Sequence, residues 1–104
     1  MAGYKLTKAA DSDLKEIARY TVAKWGVNQA LIYSAKLQNY FSEIGEGKII
    51  GKVYDQELPE VKVTRCEKHF IFYLNQPACV LIIAVYHGRM EMMSRLKRRL
   101  VKIL

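Results

Sequence analysis

Long apolar runs, cysteine, proline and glycine-rich tracts are all scarce in this chain of 104 residues. The apolar run at Cys79 to Tyr86, like every other in the chain, falls far short of the roughly 20 residues that span a bilayer. The opening Met1-Ala2-Gly3-Tyr4-Lys5 lacks the basic-then-apolar order of an export signal. These absences predict a soluble, cytoplasmic protein with no membrane partner, in which Cys66 and Cys79 are reduced thiols and not a disulfide. With no repeat, no low-complexity tract and no Pro/Ser-rich linker, the whole of 1–104 reads as one domain. Also missing are a phosphate-cradling Gly-x-x-x-x-Gly-Lys loop, a Gly-x-Ser-x-Gly turn, a His pair at helical spacing and a dinucleotide fingerprint. Common enzyme chemistries are therefore unsupported, and neither a cofactor nor a small-molecule substrate is expected. Cys66-x-x-His69, with Cys79 and His87 further on, has ligand types suited to zinc. All four read as strand residues, however, so no metal site is expected.

What the chain does have is apolar content, 51% of its residues, and an uneven distribution of charge. The net charge is +7, and five of those seven excess charges fall within Arg89–Leu104, which holds six basic residues against Glu91 alone. A basic segment of this kind favours a polyanionic or acidic partner.

The apolar pattern predicts a short strand at Tyr4–Leu6, then a helix from Lys8 to Trp25 capped by Thr7. Leu14, Ile17, Ala18, Thr21 and Trp25 share one face of that helix. Gly26 ends it, and Asn28 is placed to cap a second helix in which Ala30, Leu37, Phe41 and Ile44 form a stripe, flanked by Tyr33 and Tyr40. That helix stops at Gly45, and so short a connection makes the two an antiparallel αα-hairpin. Three strands follow, at Val61–Cys66, His69–Asn75 and Cys79–Tyr86, with Asn75 to Ala78 as the turn between the last two. The final strand is apolar on both faces and belongs in the middle of the sheet. Met90, Met93, Leu96, Leu100, Ile103 and Leu104 line one side of a C-terminal helix, with Arg95, Arg98, Arg99 and Lys102 on the other. The expected fold is α+β: an N-terminal αα-hairpin packed on a small antiparallel β-sheet, followed by a basic amphipathic helix. Seven tyrosines leave more aromatic surface than a domain of this size readily hides, which points to a protein partner.

Two sets of residues are candidates for function. Arg65, Tyr86, His87 and Arg89 fall at the ends of neighbouring strands and offer an imidazole, a phenol and two guanidiniums, the outline of a small ribonuclease site. The basic helix offers Arg95, Arg98, Arg99 and Lys102 to a polyanion or an acidic protein surface.

Asp13-Leu14-Lys15-Glu16-Ile17-Ala18-Arg19-Tyr20-Thr21, followed by Trp25-Gly26-Val27-Asn28-Gln29-Ala30 and Tyr33, resembles the N-terminal signature of ParE toxins. Arg65-Cys66-Glu67-Lys68-His69-Phe70-Ile71-Phe72 and Tyr86-His87-Gly88-Arg89-Met90-Glu91-Met92-Met93-Ser94-Arg95-Leu96 are similar to the strand and C-terminal motifs of the plasmid-type branch. The resemblance runs from about Tyr4 to Leu100. It implies a toxin of a type II toxin-antitoxin system with the RelE/ParE fold, one that poisons DNA gyrase and is neutralised, in a hetero-oligomer, by a ParD-like antitoxin with acidic segments. His87, Arg89 and Met90 at the strand end, with the basic helix, are then the candidates for engaging gyrase. The same superfamily includes RelE-like messenger RNA endonucleases. Under that alternative His87 is the acid or base, Arg65 and Arg89 stabilise the phosphorane, and Tyr86 orients the 2'-hydroxyl. Met90-Glu91-Met92-Met93 carries no tyrosine of the kind several of those nucleases have there, so the gyrase reading is preferred.

Overall fold

The computed structural model describes residues 3–88 and 91–103. The expectations that fall on Arg89, Met90 and Leu104 lie outside the described residues. In chain order the elements are β1 (Tyr4–Leu6), α1 (Lys8–Trp25), α2 (Val27–Gly45), β2 (Lys52–Val53), β3 (Val61–Cys66), β4 (His69–Asn75), β5 (Val80–His87) and α3 (Met92–Ile103).

Local chemistry sets the helical boundaries. The Thr7 hydroxyl accepts the Ala10 N–H at 3.1 Å and starts α1, with Asp11 placed in the first turn near the positive helix end. Gly26, at φ 95°, is the single residue between the helices, a conformation open to glycine at little cost. Its N–H closes α1 on the Val22 carbonyl, and its own carbonyl accepts the Ala30 N–H to open α2. The expected cap at Asn28 is therefore displaced: α2 already begins at Val27, its N-cap is Gly26, and no side chain caps it.

The sheet order is β1-β5-β4-β3-β2. It is mixed, where an antiparallel sheet was expected, because β1 pairs in parallel with β5 through Tyr4↔Val80 to Leu6↔Ile82. The two-residue strand β2, which extends the sheet beside β3, was not anticipated. Its approach is held by the Gly51 N–H on the Tyr73 hydroxyl at 2.8 Å, and a Cβ at Gly51 would lie 2.5 Å from that oxygen. Strand β5 begins one residue later than expected and runs on through His87; Cys79 belongs to the turn, where its carbonyl accepts the Gln76 N–H. It is internal, but the central position goes to β4.

Both faces of β5 are covered. Leu37, Phe41 and Ile44 of the hairpin pack on Ile71, Ile82 and Val85, while Leu96 and Leu100 of α3 pack on Phe72, Ala84 and Tyr86. The α1 face is shorter than its periodicity implied. Trp25 is 63% exposed, because the last turn of α1 and the start of α2 stand off the sheet and leave a groove.

Candidate functional site

Strand alternation decides which candidate residues meet. Partners directly opposite one another share a face of the sheet, and neighbours along a strand lie on opposite faces. Arg65, Phe70 and Tyr86 are in register, as are Cys66, His69 and His87. The first trio faces α3 and the second faces the helical hairpin. His87 is therefore separated by the sheet from Arg65 and Tyr86, and the described members of the ribonuclease set do not form one site. The same separation places His87 apart from the basic residues of α3, with which it was grouped as gyrase-facing.

On the α3 side, the Arg65 guanidinium lies 5.4 Å from the Phe70 ring centre, and its Nε donates to the Glu67 carbonyl at 2.9 Å. Tyr86 is 1% exposed, and its hydroxyl is a buried side-chain polar atom without a hydrogen bond among the described residues. Burial raises its pKa against the field of Arg99; Asp13 adds to the rise, and Arg95 and Arg98 oppose it.

Arg99 is not on the solvated face where the charge pattern placed it. Its Nη1 and Nη2 donate to the two carboxylate oxygens of Asp13 at 2.6 and 3.2 Å, Nη1 also donates to the Ile83 carbonyl at 3.1 Å, and the guanidinium lies 5.0 Å from the Tyr86 ring centre. Asp13 in turn accepts the Val85 N–H at 3.0 Å. The cause is a difference in strand length: β1 stops at Leu6, so the β5 groups beyond it have no strand neighbour on that side and are met by side chains. Burial works against the charge on Arg99, but the hydrogen bonds and negative field of Asp13 more than offset it and raise its pKa. The signal was present in the spacing, since Met92, Leu96, Arg99 and Ile103 follow one another at helical intervals on a single face. Arg95, Arg98 and Lys102 remain exposed, and Lys97 meets Glu57 at 3.4 Å.

On the hairpin side lies an open groove of about 740 Å³, walled by Tyr20, Trp25 and Tyr33 of the hairpin and by His69 and His87 of the sheet, with Glu16, Glu67, Lys24 and Lys68 at its margins. Tyr33 Oη is 2.6 Å from His69 Nδ1 and donates to the Cys66 carbonyl at 3.4 Å. Burial and the neighbouring His87, its ring centre 5.7 Å away, push His69 down to about 4. Burial, with the negative charge that Cys66 and Glu67 can carry, pushes Tyr33 up to about 12. Both are neutral at physiological pH. This histidine-tyrosine pair was missed from the sequence, although His69 falls opposite His87 once the hairpin register is drawn. Besides the groove-lining Tyr20 and Trp25, the hairpin tip exposes Val22, Val27, Leu31 and Ile32. Among the described residues no three of His, Cys, Asp and Glu come together to hold a metal ion, and no helix is long and apolar enough to cross a membrane.

The family model described as the ParE toxin of the type II toxin-antitoxin system parDE matches residues 4–92. The chain belongs to the ParE toxin family. Its relatives include Toxin ParE of Escherichia coli, 38% identical over 103 residues that cover 96% of this chain and 98% of that one. Toxin ParE1 of Caulobacter vibrioides is 34% identical over 98 residues, covering 92% and 99% respectively. A solved structure described as the chromosomal ParDE toxin-antitoxin system of P. aeruginosa superposes with a TM-score of 0.72 at 19% identity, covering 84% of this chain and 96% of that one. That likeness bears on the fold, which this ParE family member shares.

Proposed function

We propose that this ParE family member is a toxin that binds DNA gyrase and blocks replication without catalysis of its own, and that a ParD-like antitoxin neutralises it in the cytoplasm. The observation that carries the reading is the division of the ribonuclease candidates by the sheet. With Arg65 and Tyr86 on one face and His87 on the other, the acid or base does not share a face with the Arg65 guanidinium meant to steady a phosphorane or with the phenol meant to orient the 2'-hydroxyl. The fold instead presents contact surfaces: an apolar hairpin tip opening into a groove on one side, and exposed cations on the other. An antitoxin covering the tip and groove would bury apolar area, and its acidic segments would be drawn to the basic C-terminal region.

The test is a supercoiling assay with purified toxin, gyrase, relaxed plasmid and ATP, followed by detergent and protease to reveal trapped breaks. Lost supercoiling with accumulated linear plasmid is expected. Unimpaired supercoiling together with cleavage of ribosome-bound messenger RNA would replace the reading with an endoribonuclease.

A further inference from the structure

We infer that the exposed face of α3, with Arg65 on the same side of the sheet, is a docking surface for the phosphate backbone of duplex DNA. Arg95, Arg98 and Lys102 follow at i, i+3 and i+7, so they form one stripe about 10 Å long on the solvent side of the helix. Arg99 is held inside by Asp13 and fixes the rotation of the helix, which presents this stripe outward. No acidic residue lies within Met92–Ile103; Glu91 precedes the helix, and Glu57 is met by Lys97. Arg65 extends the positive surface from β3, two strand spacings from Tyr86, about 10 Å away.

The occupant follows from what this face lacks. Val101 is the one large apolar residue α3 exposes among the described residues, so there is no apolar centre of the kind on which a protein interface is built. Among the described residues α3 itself carries no aromatic ring on which unstacked bases would lie, and the exposed aromatics, Tyr20 and Trp25, are on the hairpin. Exposed cations along one face of a helix, without stacking groups, suit the regular phosphates of a duplex. This goes beyond the gyrase reading and is tested with no gyrase present, so either can fail alone.

The full chain is titrated into a short fluorescent DNA duplex at salt from about 50 to 200 mM, with anisotropy as the readout. Binding should weaken steeply, log K falling against log salt with a slope of about −3, the release expected for three to four phosphates. Arg95→Gln with Arg98→Gln should weaken binding at least ~10-fold at the lowest salt and flatten the slope by about 2. Lys36→Gln with Lys48→Gln makes the same change in net charge on the α2 side and should leave the slope unaltered; circular dichroism confirms that each variant folds. Equal losses in the two double variants, or no binding at the lowest salt, overturn the proposal. So does tighter binding to an RNA duplex of the same sequence.

Discussion

The two faces of the sheet are covered by helices of opposite character. On one side the αα-hairpin packs Leu37, Phe41 and Ile44 against the sheet and leaves an aromatic, histidine-containing groove beside an apolar tip. On the other, α3 buries Leu96 and Leu100 and turns cations outward. A single sheet thus separates a surface that gains free energy by losing water from one whose contribution is electrostatic and screened by salt. Asp13 and Arg99 connect the two, since α1 and α3 meet through that ion pair beside β5.

Breaking the connection should have the largest effect. Asp13→Ala leaves the Arg99 guanidinium without its carboxylate and the Val85 N–H without its acceptor, at a cost of about 3 kcal/mol in denaturant unfolding. A double-mutant cycle with Arg99→Ala should show strong coupling, and additive losses would mean that the two helices are anchored independently.

Trp25→Ala separates fold from contact. With the ring 63% exposed, stability should move by no more than about 0.5 kcal/mol, while affinity for a ParD-like antitoxin, measured by calorimetry, should fall at least ~10-fold. Unchanged affinity would remove the hairpin tip from the antitoxin surface.

The groove face should also respond to acid. His69 is held at about 4 in the folded chain, below the ordinary value near 6.5 of an unfolded histidine, so the unfolded chain binds the extra proton between those values. Its contribution is fully present above pH 6.5 and is lost as pH falls toward 4. After allowance for the partial solvation of the ring, the loss is on the order of 1 kcal/mol. His69→Phe should flatten the decline of the urea midpoint between pH 7 and pH 5, whereas an unchanged decline would assign it to other groups.

The smallest effect belongs to the α3 face. Tyr86→Phe removes a buried hydroxyl that has no hydrogen bond among the described residues, so stability should be unchanged or rise by up to about 1 kcal/mol. Growth arrest in cells expressing the variant should persist, and its loss with the fold intact would return Tyr86 to a catalytic role.

Much of the fold was legible because periodicity is local. Ala30, Leu37, Phe41 and Ile44 announced the buried face of α2, and the doubly apolar β5 announced a strand covered on both sides. The parallel pairing of β1 and the existence of β2 were not legible, since strands of three and two residues carry no pattern of their own and are fixed by tertiary contacts. The candidate site was harder for a different reason. Tyr86 and His87 look like partners because they are adjacent in sequence, yet adjacency within a strand sends their side chains to opposite faces. Arg99 misled in the same manner: its charge suggested solvent, while its spacing from Leu96 and Ile103 placed it inside. In both cases geometric period was a better guide to location than residue type.

The stopgap formed by Asp13 and Arg99 beside β5 has a consequence for the toxin on its own. A sheet with open rims invites a strand from another molecule, and through it chain-to-chain polymerisation. Here one rim is occupied by two charged side chains where β1 ends, and the other is the two-residue β2. Neither offers a long template for strand addition, so polymerisation through the edges of the sheet is disfavoured.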